Sequence, residues 1–225
     1  MSNDDRKKTE SAAAAHEEDI DRLLHDPSPE VVRALLGNRN LREEDVLIIA
    51  TRKNLPANIL EAIAKDPRWS ESYPIRLALA RNPRSPLSVS LTTARYLRLF
   101  DLEEITRNHS IPLVFRHKVE AIIIERIPTM PLGNKKTLAK KAGGNVLLKL
   151  LQDPDHEVLQ LCLNNPHLTE AQLFKVINHS AGVGTEAIRQ IATHPNWSSR
   201  PLIRFSLVRH KRTPQPLALR FVETM

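Results

Sequence analysis

The side chains in this sequence best placed to do chemistry are cationic. From Arg126 to Lys149 there are six basic residues and no acid, and Lys135, Lys136, Lys140 and Lys141 form the densest part of that run. From Trp197 to Met225 there are six more against Glu223 alone, among them Arg204, Arg209 and Arg212. Residues 1–25 hold seven acids and four Lys/Arg, so the rest of the chain carries +10 of the formal net charge of +7. Such groups, gathered on one concave face, follow a phosphate backbone without reading sequence. The opposing reading is a solvated charged face, favoured by an aromatic content of 4%, which leaves few rings to stack on bases.

Other chemistries find no constellation. Gly143-Gly144 and Gly182-Val183-Gly184 are loop punctuation without a preceding strand, so no phosphate loop is present. His109 and His117 stand eight apart across Pro112, and His156 and His167 are separated by a helix and a turn. Neither pair has metal-ligand spacing with a third partner. Cys162, the lone cysteine, rules out an intrachain disulfide and reads as a buried thiol beside Leu161 and Leu163. No Ser or Cys stands in a nucleophile motif. Trp69 and Trp197 resemble the aromatic residues of a base-binding groove, but they occupy equivalent places in two halves of the chain and read as packing residues. The expectation is a non-enzymatic protein with no catalytic residue, cofactor or metal.

The elements that must carry these residues are short helices. Apolar residues fall three and four apart, as in Val46, Ile49 and Ala50 or Leu173, Val176 and Ile177, and no alternating strand run is found. Ala121 to Ile127 (AIIIERI) continues a helical stretch and reads as its buried part. Sixteen prolines punctuate the helices, and Ser28-Pro29, Ser85-Pro86 and Thr213-Pro214 read as an N-cap followed by the first helical residue.

These helices belong to a duplication. LLHDPSPEVVRALLGNRNL from Leu23 recurs as LLQDPDHEVLQLCLNNPHL from Leu150, an offset of 127 residues. DPRWSESYPIRLALARNPRSP recurs as HPNWSSRPLIRFSLVRHKRTP at an offset of 128. A shorter phrase recurs inside each copy, so the predicted fold is all-α, an α-solenoid of stacked helical repeats. The predicted organisation is a disordered tail over 1–10 and one elongated domain over 11–225. Within that domain the repeat copies span about 23–97 and 150–225, and an irregular bridging segment spans about 98–149. Ser11 to Leu24 is expected to form a capping helix. Arg76, Arg81 and Arg84 recur as Arg204, Arg209 and Arg212. That row fits arginines that bridge successive repeats, and it also fits a ladder shown to one partner. The four lysines of the bridging segment have no repeat counterpart in this alignment.

The phrase L-x-x-D-P-x-x-x-V followed by N-x-x-L, at Leu23 to Leu41 and Leu150 to Leu168, resembles the leucine-rich repeat variant and the broader HEAT-like helical repeats. The resemblance implies a right-handed solenoid of short helices. The iron–sulfur cluster of one branch of the variants needs a cysteine group that a single Cys162 does not supply. NPRSP at Asn82 to Pro86 and MPLGNKKTLAKKA at Met130 to Ala142 also resemble a bacterial group of such proteins, and imply no activity. No stretch is long and apolar enough for a membrane span or a signal core, so a cytoplasmic protein without membrane contact is expected. The functional expectation is a scaffold whose partner is another protein, with sequence-nonspecific nucleic-acid binding as the alternative. Lys135, Lys136, Lys140, Lys141, Arg204, Arg209 and Arg212 are the candidate partner-binding residues.

Overall fold

One small turn, used again and again, organises the chain. In the computed structural model, which describes residues 3–180 and 182–223, an Asp or Asn side chain at seven turns accepts the backbone N–H two residues on. The acceptors are Asp26, Asn38, Asp66, Asn82, Asn108, Asp153 and Asn165, at 2.7–3.0 Å. Short polar side chains mimic a backbone turn this way, which stops one helix and launches the next. At the two remaining positions of the series a histidine does the same work. His194 Nδ1 and His210 Nδ1 accept from Asn196 and Arg212 N–H, each at 3.3 Å.

All the regular structure among the described residues is helical. The first seven α-helices are α1 (Asn3–Ala13), α2 (Glu17–Leu23), α3 (Pro29–Leu36), α4 (Glu43–Thr51), α5 (Ala57–Lys65), α6 (Tyr73–Arg81) and α7 (Leu87–Ala94). Next come α8 (Leu99–Arg107), α9 (Leu113–Arg126) and a 3₁₀ turn over Ile127–Thr129. The series then repeats as α10 (Leu132–Lys141), α11 (Gly144–Leu150), α12 (His156–Leu163), α13 (Glu170–His179), α14 (Thr185–Thr193), α15 (Pro201–Arg209) and α16 (Gln215–Glu223). Helix α9 takes up residues 121–126 of the AIIIERI run and the 3₁₀ turn takes Ile127, but only Ile123 and Ile127 of the run are buried, so it is not the buried stretch that was expected.

The chain divides into two compact units, Met1–Val119 and Glu120–Met225. In each unit, helices two apart in the chain pack together. In the first, α1 lies on α3, α3 on α5, α4 on α6 and α6 on α8. In the second, α10 lies on α12, α12 on α14, α11 on α13 and α13 on α15. Much of the apolar surface of the helices is buried among these neighbours. Val31, Val32, Leu35 and Leu36 of α3 are buried, and so are their counterparts Val158, Leu159, Cys162 and Leu163 of α12. Cys162 fills the place of Leu35, and burial pushes its thiol up to about 12, so it stays protonated and unreactive.

Helix α1 covers Asn3–Ala13; Met1 and Ser2 lie outside the described residues, as do Ala181, Thr224 and Met225. Two further features differ from the sequence-based expectation. The duplication begins earlier than the sequence match suggested. Helices α10 and α11 occupy the places of α1 and α2 at the same offset of 127, so residues 130–149 belong to the second copy and the irregular segment shrinks to about 98–129. Buried Ala12, Ala15 and Ile20 correspond to buried Ala139, Ala142 and Leu147, and the likeness is confined to such inward positions. Finally, only Ser28 is an N-cap residue as expected, with Pro29 at the first helical position. Ser85 Oγ and Thr213 Oγ1 instead donate backwards, each at 2.6 Å, to the carbonyls of Leu79 and Leu207. They close the helix behind them by adding a second hydrogen bond to last-turn carbonyls that already accept the Asn82 and His210 N–H.

The histidine turns make the second unit acid-sensitive. Burial holds both imidazoles below the ordinary histidine value of 6.5, helped at His210 by Arg212 and Lys211. A folded-state value below the unfolded one means that folding favours the neutral ring, which is also the form with a free Nδ1 acceptor. The contribution is complete above pH 6.5 and is lost as pH falls through the depressed folded value. Urea midpoints between pH 8 and pH 5 should therefore drop. His210→Asn, which installs the residue found at the matching Asn82, should reduce the drop; an unchanged pH profile would count against this account.

Candidate functional site

The four lysines of α10 do not form one cationic face. Lys135 Nζ donates to Asp153 Oδ2 at 2.8 Å, and the two side chains are only 15% and 4% exposed. The pair ties α10 to the turn that starts α12, so Lys135 is an internal strut and leaves the set of surface candidates. Its place is readable in retrospect. Lys135, Ala139 and Ala142 lie at i, i+4 and i+7, which is the inward row of α10. In the extended alignment Lys135 also matches Lys8. Lys136 is ion-paired with Glu157 of α12 at the surface. Lys140 and Lys141 are exposed and have no ion pair among the described residues.

The duplicated arginines resolve differently in the two copies. In the first, Arg76 Nε donates to the Ser70 carbonyl at 2.6 Å and its guanidinium lies 4.3 Å from the Tyr96 ring centre. Arg81 reaches Asp101 at 3.3 Å and Glu104 at 2.5 Å, both on α8. This is the bridging role. In the second copy, Arg204 lies 5.5 Å over Phe221 of α16, and Arg212 donates to the Val183 carbonyl. Arg209 is exposed, with its guanidinium 5.3 Å over Phe205 one turn earlier on the same helix. Helix α10 packs chiefly on α11 and α12, whereas α15 packs on α13, α14 and α16. The lysine and arginine groups therefore sit on helices with different neighbours.

A cleft of about 750 Å³ opens in the second unit between the end of α13 and the turn after α15, lined by Phe174, His179, Arg209, His210, Lys211 and Arg212 among others. Its origin is a single exchange. In the first copy, Asn82 Nδ2 donates to the carbonyls of Ala50 and Arg52 at 2.8 and 2.9 Å and pins the turn onto α4. His210 stands at that position in the second copy and cannot donate to two carbonyls at once, and Arg212 reaches across to the Val183 carbonyl instead. The cleft is cationic and its chemistry is the attraction of anions. In the first unit a smaller cleft of about 370 Å³ is lined by Glu61, Glu71, Arg76, Ser88, Thr92 and Tyr96 among others, with both charge signs present. Thr92 Oγ1 is committed to the Ser88 carbonyl at 2.9 Å. Among the described residues no three His, Cys, Asp or Glu side chains gather as a metal-binding group.

The tryptophans are packing residues with one difference. Trp197 Nε1 donates to the Leu163 carbonyl at 2.8 Å. At the matching place, Arg68 Nη2 takes the Leu36 carbonyl at 2.5 Å, and the buried Trp69 Nε1 has no hydrogen-bond partner. Arg68 has Asn196 as its counterpart, which is too short for that reach, and the indole replaces it. Trp197→Phe should cost about 1 kcal/mol more than Trp69→Phe, the net worth of one neutral hydrogen bond. Circular-dichroism melts of the two variants measure the difference, and equal losses would deny the Leu163 bond.

Two features carried too little sequence signal to be assigned. One is the inward amide of Asn38, Asn82 and Asn165, whose recurrence is visible but whose partners lie 23 to 32 residues away. The other is the outward row Leu202, Phe205 and Arg209 on α15, where apolar residues at helical spacing read as core. No helix among the described residues is long and apolar enough to cross a membrane. Comparison with protein-family models, with curated proteins and with solved structures finds no match.

Proposed function

We propose that this chain is a non-enzymatic α-solenoid scaffold of the HEAT-like or leucine-rich-repeat-variant kind, which binds another protein. The observation that carries the proposal is the set of large apolar side chains left on helix surfaces. Leu202 and Phe205 of α15 are 45% and 47% exposed, and Leu113 and Val114 of α9 are exposed as well. Apolar side chains grouped on an outward helix row are the common mark of a protein-binding surface. The stacking of helices two apart in each unit supports the solenoid reading, and the internal pairing of Lys135 and Lys136 removes part of the charge that a nucleic acid would need.

Sequence-nonspecific nucleic-acid binding is the second reading, favoured by the cationic cleft around Arg209, Lys211 and Arg212 with Lys140 and Lys141 elsewhere on the unit. Fluorescence anisotropy with single- and double-stranded DNA and RNA across a salt series separates the two. The scaffold reading expects only weak binding that vanishes near physiological salt. Micromolar or tighter binding with a steep salt slope would install the nucleic-acid reading in its place.

A further inference from the structure

We infer that the outward row of α15, Leu202, Phe205 and Arg209, is a docking site for an acidic amphipathic helix that presents two carboxylates three residues apart. The inference rests on the protein-scaffold reading and names the surface and the partner chemistry. Its basis is the other copy of the same element. Helix α15 corresponds to α6 residue for residue, and the row Leu202, Phe205 and Arg209 corresponds to Pro74, Leu77 and Arg81. On α6 that end of the row is occupied. Helix α8 lies against α6 with Asp101 and Glu104, three residues apart, on the guanidinium of Arg81. Tyr73 at the other end of α6 donates its hydroxyl to Asp101. Between and behind the carboxylates, Leu102 and Ile105 of α8 are buried.

On α15 the same anchor stands open. Arg209 has no carboxylate partner among the described residues, and its guanidinium folds back over Phe205. Leu77 and Arg81 are partly covered, whereas Leu202, Phe205 and Arg209 are all exposed. Phe205 is also larger than the Leu77 it replaces, so the open copy presents more apolar surface than the closed one. A cation flanked by apolar side chains on one helix row selects a helix with the complementary pattern, carboxylates at i and i+3 and apolar residues at i+1 and i+4. Helix α8 itself shows that pattern seated on the matching frame. The cations nearest in sequence, Lys211 and Arg212, add to the preference for an acidic partner.

The test uses a hydrocarbon-stapled, fluorescein-labelled peptide with the sequence of residues 97–111, LRLFDLEEITRNHSI. The staple removes the folding cost that would hide a short helix. The full chain should bind it saturably. Arg209→Glu should weaken binding about tenfold, as expected when the ion-pair anchor is reversed, and Lys140→Glu, the same charge change on α10, should not. A peptide with lysine in place of Asp101 and Glu104 should prefer the Arg209→Glu chain. Arg209 is exposed, so that variant should fold like the parent. No binding at about 1 mM peptide, or equal binding to the parent and to Arg209→Glu, overturns the inference. Self-association abolished by Arg209→Glu, without peptide binding, would assign the face to a second copy and overturn it too. A protein partner retained by the Arg209→Glu chain sinks the α15 site alone. Nucleic-acid binding with no protein partner would sink the scaffold reading itself.

Discussion

Asn165→Asp should destabilise the second unit by about 4 kcal/mol, and Asn165→Ala by about 3 kcal/mol, which puts both near the top of the range for single substitutions. The Asn165 amide is 4% exposed and makes three bonds. It donates to the carbonyls of Ala139 and Ala142 at 2.7 and 2.9 Å, and its oxygen accepts the His167 N–H at 2.7 Å. Those two carbonyls lie at the end of α10, where a helix has no intrahelical donors left to meet them. Alanine leaves both carbonyls and one N–H unmet in a buried place. Aspartate keeps the acceptor but turns the donor edge into an oxygen that faces two others, so repulsion adds to the loss. The same ordering, Asp worse than Ala, should hold at Asn38 and Asn82, whose amides bind Ala12 with Ala15 and Ala50 with Arg52. Urea denaturation followed by circular dichroism measures it. An Asp variant as stable as the Ala variant would show that the two donated bonds contribute nothing.

Lys135→Ala should cost about 3 kcal/mol, whereas Lys140→Ala and Lys141→Ala should each stay within about 0.5 kcal/mol of the parent. Removing the lysine leaves Asp153 charged and shielded from water, with only the Asp155 N–H at 3.0 Å to satisfy it. The buried pair owes little net stability to its attraction, because both ions lose hydration on burial; the cost arises from breaking one half. The double variant Lys135→Met with Asp153→Asn should therefore recover most of the loss, since Asn keeps the turn acceptor and no charge remains. Failure of the double variant to recover would point to the lysine's stem packing as the main term. The same reasoning governs the nucleic-acid test. A variant with all four lysines replaced would lose binding by unfolding α10 from α12, so Lys140 and Lys141 alone are the clean probes.

Acid and alkali touch this protein through few groups. Asp66 is held below the ordinary carboxylate range by the Arg68 guanidinium, and Glu186 is held at about 2 by Arg189 and Gln190. Both remain charged through the pH range in which the two half-buried histidines titrate, so neither of these two carboxylates contributes to the His210→Asn comparison down to about pH 5.

Helix content, the punctuation by proline and the duplication were legible because each depends on residues close in sequence. The buried thiol was legible for the same reason, since Cys162 stands where the pattern of α3 has Leu35. What the sequence left open were choices between faces and directions. Ser85 and Thr213 precede prolines as caps do, yet they bond six residues backwards, to last-turn carbonyls that take a second hydrogen bond. Lys135 and Lys136 are adjacent in sequence, but only the first lies on the row that α12 covers. Helices α10 and α11 of the second copy went unmatched because α1 and α10 share inward alanines and little else, and exposed faces are free to diverge.

The amino-acid sequence by itself determined that this chain forms short helices punctuated by proline, and that two stretches of it are copies of one another. Periodicity, proline geometry and Asx turns act over a few residues and need no partner. Only the tertiary structure decided which cations are struts and which face solvent, and that Arg81 is met by a neighbouring helix while Arg209 is not. Burial of a charge depends on what packs across it, and that neighbour lies 18 residues away for Lys135 and 20 or more for Arg81, beyond the reach of any local pattern.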